Sequence, residues 1–179
     1  MKWHALLVTV ILVIAICATA CTDEVSDQVP PPPPTGRVLP GQVLYQIGDV
    51  TGDGIARGTI DTITITVGLV SGADPVNMEN VSIVYADAIR TESLLPIQGL
   101  RGDPPSGAWG VLSVKDEIGL PNNRLEYEEK YMIRINPKAP LVPRQLVTII
   151  VKTPAGTPLT IRRISPPTIA AHDNILAPM

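Results

Sequence analysis

The sequence predicts an all-β fold, an immunoglobulin-like antiparallel β-sandwich preceded by an apolar segment and a proline-rich linker. Three observations carry this. Apolar residues recur at every second position in several short runs, which is the period of a strand with one buried face. The residues in those runs are Val, Ile, Leu and Thr, with no Phe in the chain, a mixture that suits a pleated surface. Nineteen prolines and 14 glycines interrupt them, and each proline removes a backbone donor, so long helices after residue 40 are not expected.

Taken in order, Val43–Ile47 reads as a first strand, followed by an Asp/Gly turn at 49–54. From Thr62 to Val70 the alternation is strict, with Ile63, Ile65, Val67 and Leu69 on one side and Thr62, Thr64, Thr66 and Gly68 on the other. Val81, Ile83 and Tyr85 repeat the pattern. Leu94–Ser106 reads as a loop. Trp109 to Val114, then Tyr131, Ile133 and Ile135, then Val147, Ile149 and Val151 give further strands. Thr153–Pro158 joins the last of these to Leu159–Ile164 as a hairpin. Pro166–Met179 reads as a final edge strand or a loose end. About seven strands in about 140 residues suit a sandwich, and 179 residues hold one core of that kind.

Residues 1–21 carry one cation at Lys2, an apolar stretch from Ala5 to Ile16 and small residues before Cys21, the architecture of an export signal. As a helix, Ala5–Ala20 would span about 24 Å, short of a hydrocarbon core of about 30 Å. Three readings stay open: cleavage near Ala20, lipid attachment at Cys21, or a retained anchor, all of which place the rest of the chain outside the cytoplasm. Thr22–Gln28 is polar and acidic. Pro30–Pro34 follows as a semi-rigid polyproline II spacer. The resulting division is 1–21 export signal or membrane anchor, 22–42 linker and 43–179 sandwich.

The segment Asp49-Val50-Thr51-Gly52-Asp53-Gly54, the strand Thr59–Leu69 and Ser71-Gly72-Ala73-Asp74-Pro75-Val76-Asn77 resemble the start of the outer domain of archaeal flagellins (archaellins). Val81–Asp87, Tyr131–Asn136 and the Thr153-Pro154-Ala155-Gly156 hairpin through Arg162 to Pro166-Pro167 continue the resemblance, over about residues 43–170. It implies an immunoglobulin-like outer domain of a filament subunit, with a structural rather than catalytic role in motility or adhesion at the cell surface. The N-terminus departs from the family: the basic residue and glycine before a long apolar helix are missing, and the proline run stands where that helix would continue. An anchored relative, a minor or basal component and an adhesive surface protein therefore stand beside a filament subunit. The partners implied are other archaellin-like subunits or an S-layer protein, with the membrane reached through the N-terminus. The alternative is a lipoprotein module that binds S-layer or carbohydrate.

The candidate sites are few. Cys21 is the lipidation candidate. Asn80-Val81-Ser82 is a sequon, so Asn80 is the glycosylation candidate. Asp49, Thr51 and Asp53 imitate the start of a calcium loop, but the twelfth position is Ile60 rather than a bidentate carboxylate, so a plain turn is expected and no metal site. Arg101-Gly102-Asp103 reads as a turn. Glu126, Glu128 and Glu129 read as a solvated hairpin end. No cofactor and no catalytic residue are expected: the histidines are His4, in the leader, and His172, and no serine sits in a nucleophile elbow. A formal charge of −3 argues against a nucleic-acid partner. With Cys17 and Cys21 the only cysteines, the folded part has none for a disulfide.

Overall fold

A computed structural model describes residues 38–54, 58–99 and 102–179. The export-signal, linker and Cys21 readings lie outside the described residues. Within them are eleven strands: β1 (Leu44–Asp53), β2 (Thr62–Leu69), β3 (Val76–Asn77), β4 (Ser82–Asp87), β5 (Thr91–Ile97), β6 (Ala108–Lys115), β7 (Arg124–Leu125), β8 (Lys130–Asn136), β9 (Leu146–Lys152), β10 (Leu159–Ile164) and β11 (Asn174–Pro178). A single 3-10 turn, Met78–Asn80, precedes β4, with the Asn77 side chain accepting from the Glu79 N–H at its start.

Nine of the strands form a closed ring in the order β1-β11-β10-β9-β4-β5-β6-β8-β2, and β3 pairs with β7 apart from it. The ring is a two-layer sandwich whose edge strands are shared. β11 pairs with β1 through Asn174–Leu176 and with β10 through Ala177 and Pro178. β5 pairs with β4 through Thr91–Leu94 and with β6 through Leu95–Ile97. Strands that change partner halfway make the corners of such structures, and closure removes the open edges that invite unwanted pairing. All the ladders are antiparallel except β5 with β6, which is parallel.

One core fills the ring. Ile63, Ile65 and Val67 of β2 and Ile133 and Ile135 of β8 meet Ile83 and Tyr85 of β4 and Ile149 and Val151 of β9, all without exposed surface. These are the alternating residues read from the sequence, and the β9–β10 hairpin pairs as expected, Leu159 with Val151 through to Ile164 with Leu146. Gly156 in its turn needs glycine: φ is +86°, and a Cβ there would stand 2.7 Å from the Gly41 carbonyl oxygen. The same turn clamps the entering chain, as Thr157 N–H donates to Gly41 (2.7 Å).

Four expectations are corrected. β1 runs through the segment read as a turn: Ile47 pairs with Thr66 and Thr51 with Thr64, so two extra residues bulge out of β1 while Gly48 takes a left-handed φ of 65°. Leu94–Ser106 begins inside strand β5. Its period was hidden because Leu94 is the only one of the seven β5 side chains that is fully buried and because Pro96 lies in it. The tail is neither loose nor at an edge, since β11 closes the ring. β2 buries both faces, including Thr62 and Thr64, because Tyr45 and Ile47 lie over Gly68 and Arg134 covers Thr64.

Candidate functional site

The sequence-derived candidates do not converge on one place. Asn80 is exposed at the end of the 3-10 turn, with Ser82 exposed two residues on. Asp49 is exposed on the β1 bulge, while Asp53, at the other end of the same strand, is engaged elsewhere. No group of three His, Cys, Asp or Glu side chains among the described residues could hold a metal ion. Glu129 corrects the reading of a solvated acidic end: it is 1% exposed, accepting from Ile118 N–H and Glu126 N–H at 2.9 Å each. Its carboxylate anchors the 116–129 segment from within, taking up the Ile118 and Glu126 backbone donors on either side of β7.

Arg134 organises a polar network on the outer face of β8. Its guanidinium donates to Thr64 Oγ1 (3.1 Å), to Asp103 Oδ1 (2.5 Å) and to Asp53 Oδ2 (2.7 Å). Asp53 Oδ1 in turn accepts from Asp173 N–H (2.8 Å), a residue with φ of 57°. His172 Nδ1 stands 3.9 Å from the same oxygen. Three chain segments far apart in sequence are thus tied to β8. Asp103, 63% exposed, reaches this network from the surface, and each of the three guanidinium nitrogens meets an acceptor, so the cluster fastens the chain.

Asp87 does comparable work at the β4–β5 turn. Its side chain is 1% exposed and accepts from Ile89 N–H (2.8 Å), Arg90 N–H (2.9 Å) and Tyr85 Oη (3.3 Å). Burial works against the carboxylate. The two backbone donors, the Arg90 charge and the tyrosine outweigh it and hold the Asp87 pKa below the ordinary value. Burial, then the Asp87 charge, pushes the Tyr85 phenol well up.

Hollows open on the surface of the described residues, and two of them bear on the fold. One, of about 240 Å³, lies where the chain enters, among Leu39, Tyr45, Leu159 and Arg163. Arg163 there donates to Gln46 Oε1, and burial lowers its pKa against the raising effect of Asp49. The other, of about 360 Å³, lies beside β6, between Met78, Trp109, Val114 and the Pro121–Asn123 segment. Tyr131 holds that segment in place, its single O–H shared between the carbonyls of Asn122 (3.1 Å) and Arg124 (3.0 Å). Burial, then the charges of Glu129, Glu117 and Glu126, raises its pKa to about 12, so it remains a donor. No local pattern in the sequence marks this cleft. Elsewhere on the surface Leu120, next to Pro121 in the chain, is exposed to 86%, Leu95 to 68% and Ile89 at the β4–β5 turn to 82%.

The archaeal-type flagellin family model matches residues 42–163, and the chain belongs to that family. Its proteins are structural filament proteins without enzymatic activity, and this chain is not an enzyme. The fold is similar to the crystal structure of archaeal flagellin FlaB1 from Methanocaldococcus jannaschii, at 17% identity and a TM-score of 0.60, over 76% of this chain and 98% of that one. It is also similar to the archaeal flagellum of Methanospirillum hungatei strain JF1, with 11% identity, a TM-score of 0.49, and 75% and 71% of the two chains covered. The archaellum periplasmic stator protein FlaG from Sulfolobus acidocaldarius matches with 16% identity, a TM-score of 0.45, and 67% and 99% covered. No curated protein matches the sequence significantly.

Proposed function

We propose that this chain is a structural component of the archaellum, working at the cell surface through contacts of its β-domain with other archaellin-type subunits. The single observation that carries the reading is the family match, which spans the ring from Gln42 in the entering segment to Arg163 in β10. The exposed apolar tips at Ile89, Leu95 and Leu120 supply the kind of surface that subunits bury on association. Shearing archaella from cells that express the tagged full chain tests this. Co-purification of the chain with the sheared filaments is the expected result; recovery only in the detergent-extracted membrane would overturn it.

A second reading, an anchored module that binds S-layer or carbohydrate, is favoured by Ala18-Thr19-Ala20-Cys21, which is similar to a lipobox. In that reading Cys21 carries the lipid and the N-terminus reaches the membrane, and the mass of the mature N-terminus decides it. Asn80 is the proposed glycan site on either reading, supported by its exposure and that of Ser82. A mass increment lost in Asn80→Gln is the matching observation.

A further inference from the structure

The two ends of the ring carry opposite charge on apolar ground. β8 runs between them: the 116–129 segment leads into it at Lys130, and the 137–145 segment leaves it after Asn136. Its seven residues span about 23 Å.

At the far end β9 begins at Leu146, and Asp87 at the end of β4 pairs with Val147. The exposed apolar side chains brought together there are Ile89, Val142 and Leu146. The ionisable residues of the 88–90 turn and the 138–146 segment are Arg90, Lys138 and Arg144, all of them cations. The carboxylates of that end are engaged or stand apart. Asp87 is buried against Arg90 (3.3 Å), Glu92 accepts from Lys138 N–H and has its other oxygen buried, and Asp53 and Asp103 are taken by Arg134. Asp61 and Asp173 stand immediately before β2 and β11. Among the described residues, Lys138 and Arg144 have no side-chain partner.

At the near end, where β8 begins, the exposed apolar side chains of the 116–129 segment are Ile118, Leu120 and Tyr127. Here the exposed or half-buried charges are Asp116, Glu117, Glu126 and Glu128 against Arg124 alone. Asp116 is paired with Lys130, whereas Glu128 has no side-chain partner among the described residues. Glu128 and Arg144 share a further property: each holds a left-handed backbone, with φ of 77° and 60°, where glycine is favoured and a side chain is strained. A strained conformation kept for an exposed, unpartnered charge points to a use of that charge outside the domain.

Apolar side chains set among charges of one sign are met by a surface of the same make and the opposite sign, and this chain presents both. We propose that the 88–90 and 138–146 end of one copy docks on the 116–128 segment of the next, Arg144 against Glu128. Because the two surfaces lie at opposite ends of one domain, a docked pair leaves an open surface at each outer end, and copies add head to tail. The inference rests on the assembly reading above and names the surfaces that meet within it.

Sedimentation of the full chain in detergent micelles tests this. The expected result at low salt is a concentration-dependent series of oligomers beyond the dimer, shortened at about 0.5 M salt, where the charges are screened. Glu128→Arg alone and Arg144→Glu alone are each expected to weaken association by about tenfold or more, because like charges then meet. An equal mixture of the two variants is expected to restore the series, since the near end of each finds the opposite charge on the far end of the other. Glu128→Gly and Arg144→Gly relieve the backbone, so the melting temperature should hold or rise while association falls. Oligomers that stop at the dimer overturn the inference. So does a mixture no better than its components, or charge and glycine variants that associate like the natural chain. If the natural chain stays monomeric yet co-purifies with sheared filaments, this contact falls and the assembly reading stands.

Discussion

The β2–β8 side of the ring and the β5–β6 quadrant are built from similar residues and do different things with them. β2 pairs on both sides, with β1 and β8, and buries seven of its eight residues. Arg134 then fastens the outer face of that side to three distant segments. β5, by contrast, fully buries one side chain of seven, meets β6 in the one parallel ladder, and releases it after three residue pairs. β6 bulges between Val111 and Ser113 and has an indole N–H with no partner. The difference is one of pairing: β2 is paired along both edges, whereas β5 and β6 part after three residue pairs.

Substitutions should separate the two regions. The largest effect is expected at Ile65→Ala in β2, where no part of the side chain is exposed and a cavity is left: about 2–5 kcal/mol lost in denaturant unfolding. Gly156→Ala should come next, at about 1–3 kcal/mol, because both the left-handed φ and the Gly41 carbonyl oppose a Cβ. Arg134→Ala should cost a similar or slightly smaller amount, about 1–3 kcal/mol, since Asp53 keeps its bond from Asp173 but loses its cation. Leu120→Ser on the exposed 116–123 loop should change unfolding by less than about 0.5 kcal/mol, its side chain being exposed, while reducing co-purification with filaments. An equal loss of stability at Leu120 and Ile65 would erase the contrast.

Asp87 adds a pH dependence. Its folded pKa lies below the unfolded value, so its contribution is complete above the ordinary aspartate range and is lost as pH falls through the lowered folded value. Unfolding midpoints measured down a pH series should therefore fall less steeply in acid for Asp87→Asn than for the natural chain. Parallel pH curves would show that the turn does not depend on that charge.

What could be read in the sequence follows the same division. β2, β8, β9 and β10 announced themselves because their alternate residues Ile, Val and Leu meet the core, and the family emerged from the order and spacing of these and the neighbouring segments. β5 was hidden because a corner strand that changes partners has no continuous buried face, and Pro96 disguised it further. The strand character of Asp49–Asp53 was masked by residues typical of turns, while a strand in the tail was read as one at an edge, and its closing role in the ring has no local mark. Glu129 looked solvated because its partners, the Ile118 and Glu126 N–H groups, are backbone and carry no mark in composition. The Trp109 cleft depends on Met78, Trp109 and Asn122 meeting from three separate segments, a juxtaposition with no local period.

Hydrogen exchange of the full chain, free and recovered in sheared filaments, tests the division between a fastened side and a contact side most directly. The expected result is that amides of Val111–Lys115 and of the 116–123 loop gain protection on assembly while those of β2 and β8 stay as slow as before. Protection gained at β2 and β8 with none at β6 and its loop would contradict it.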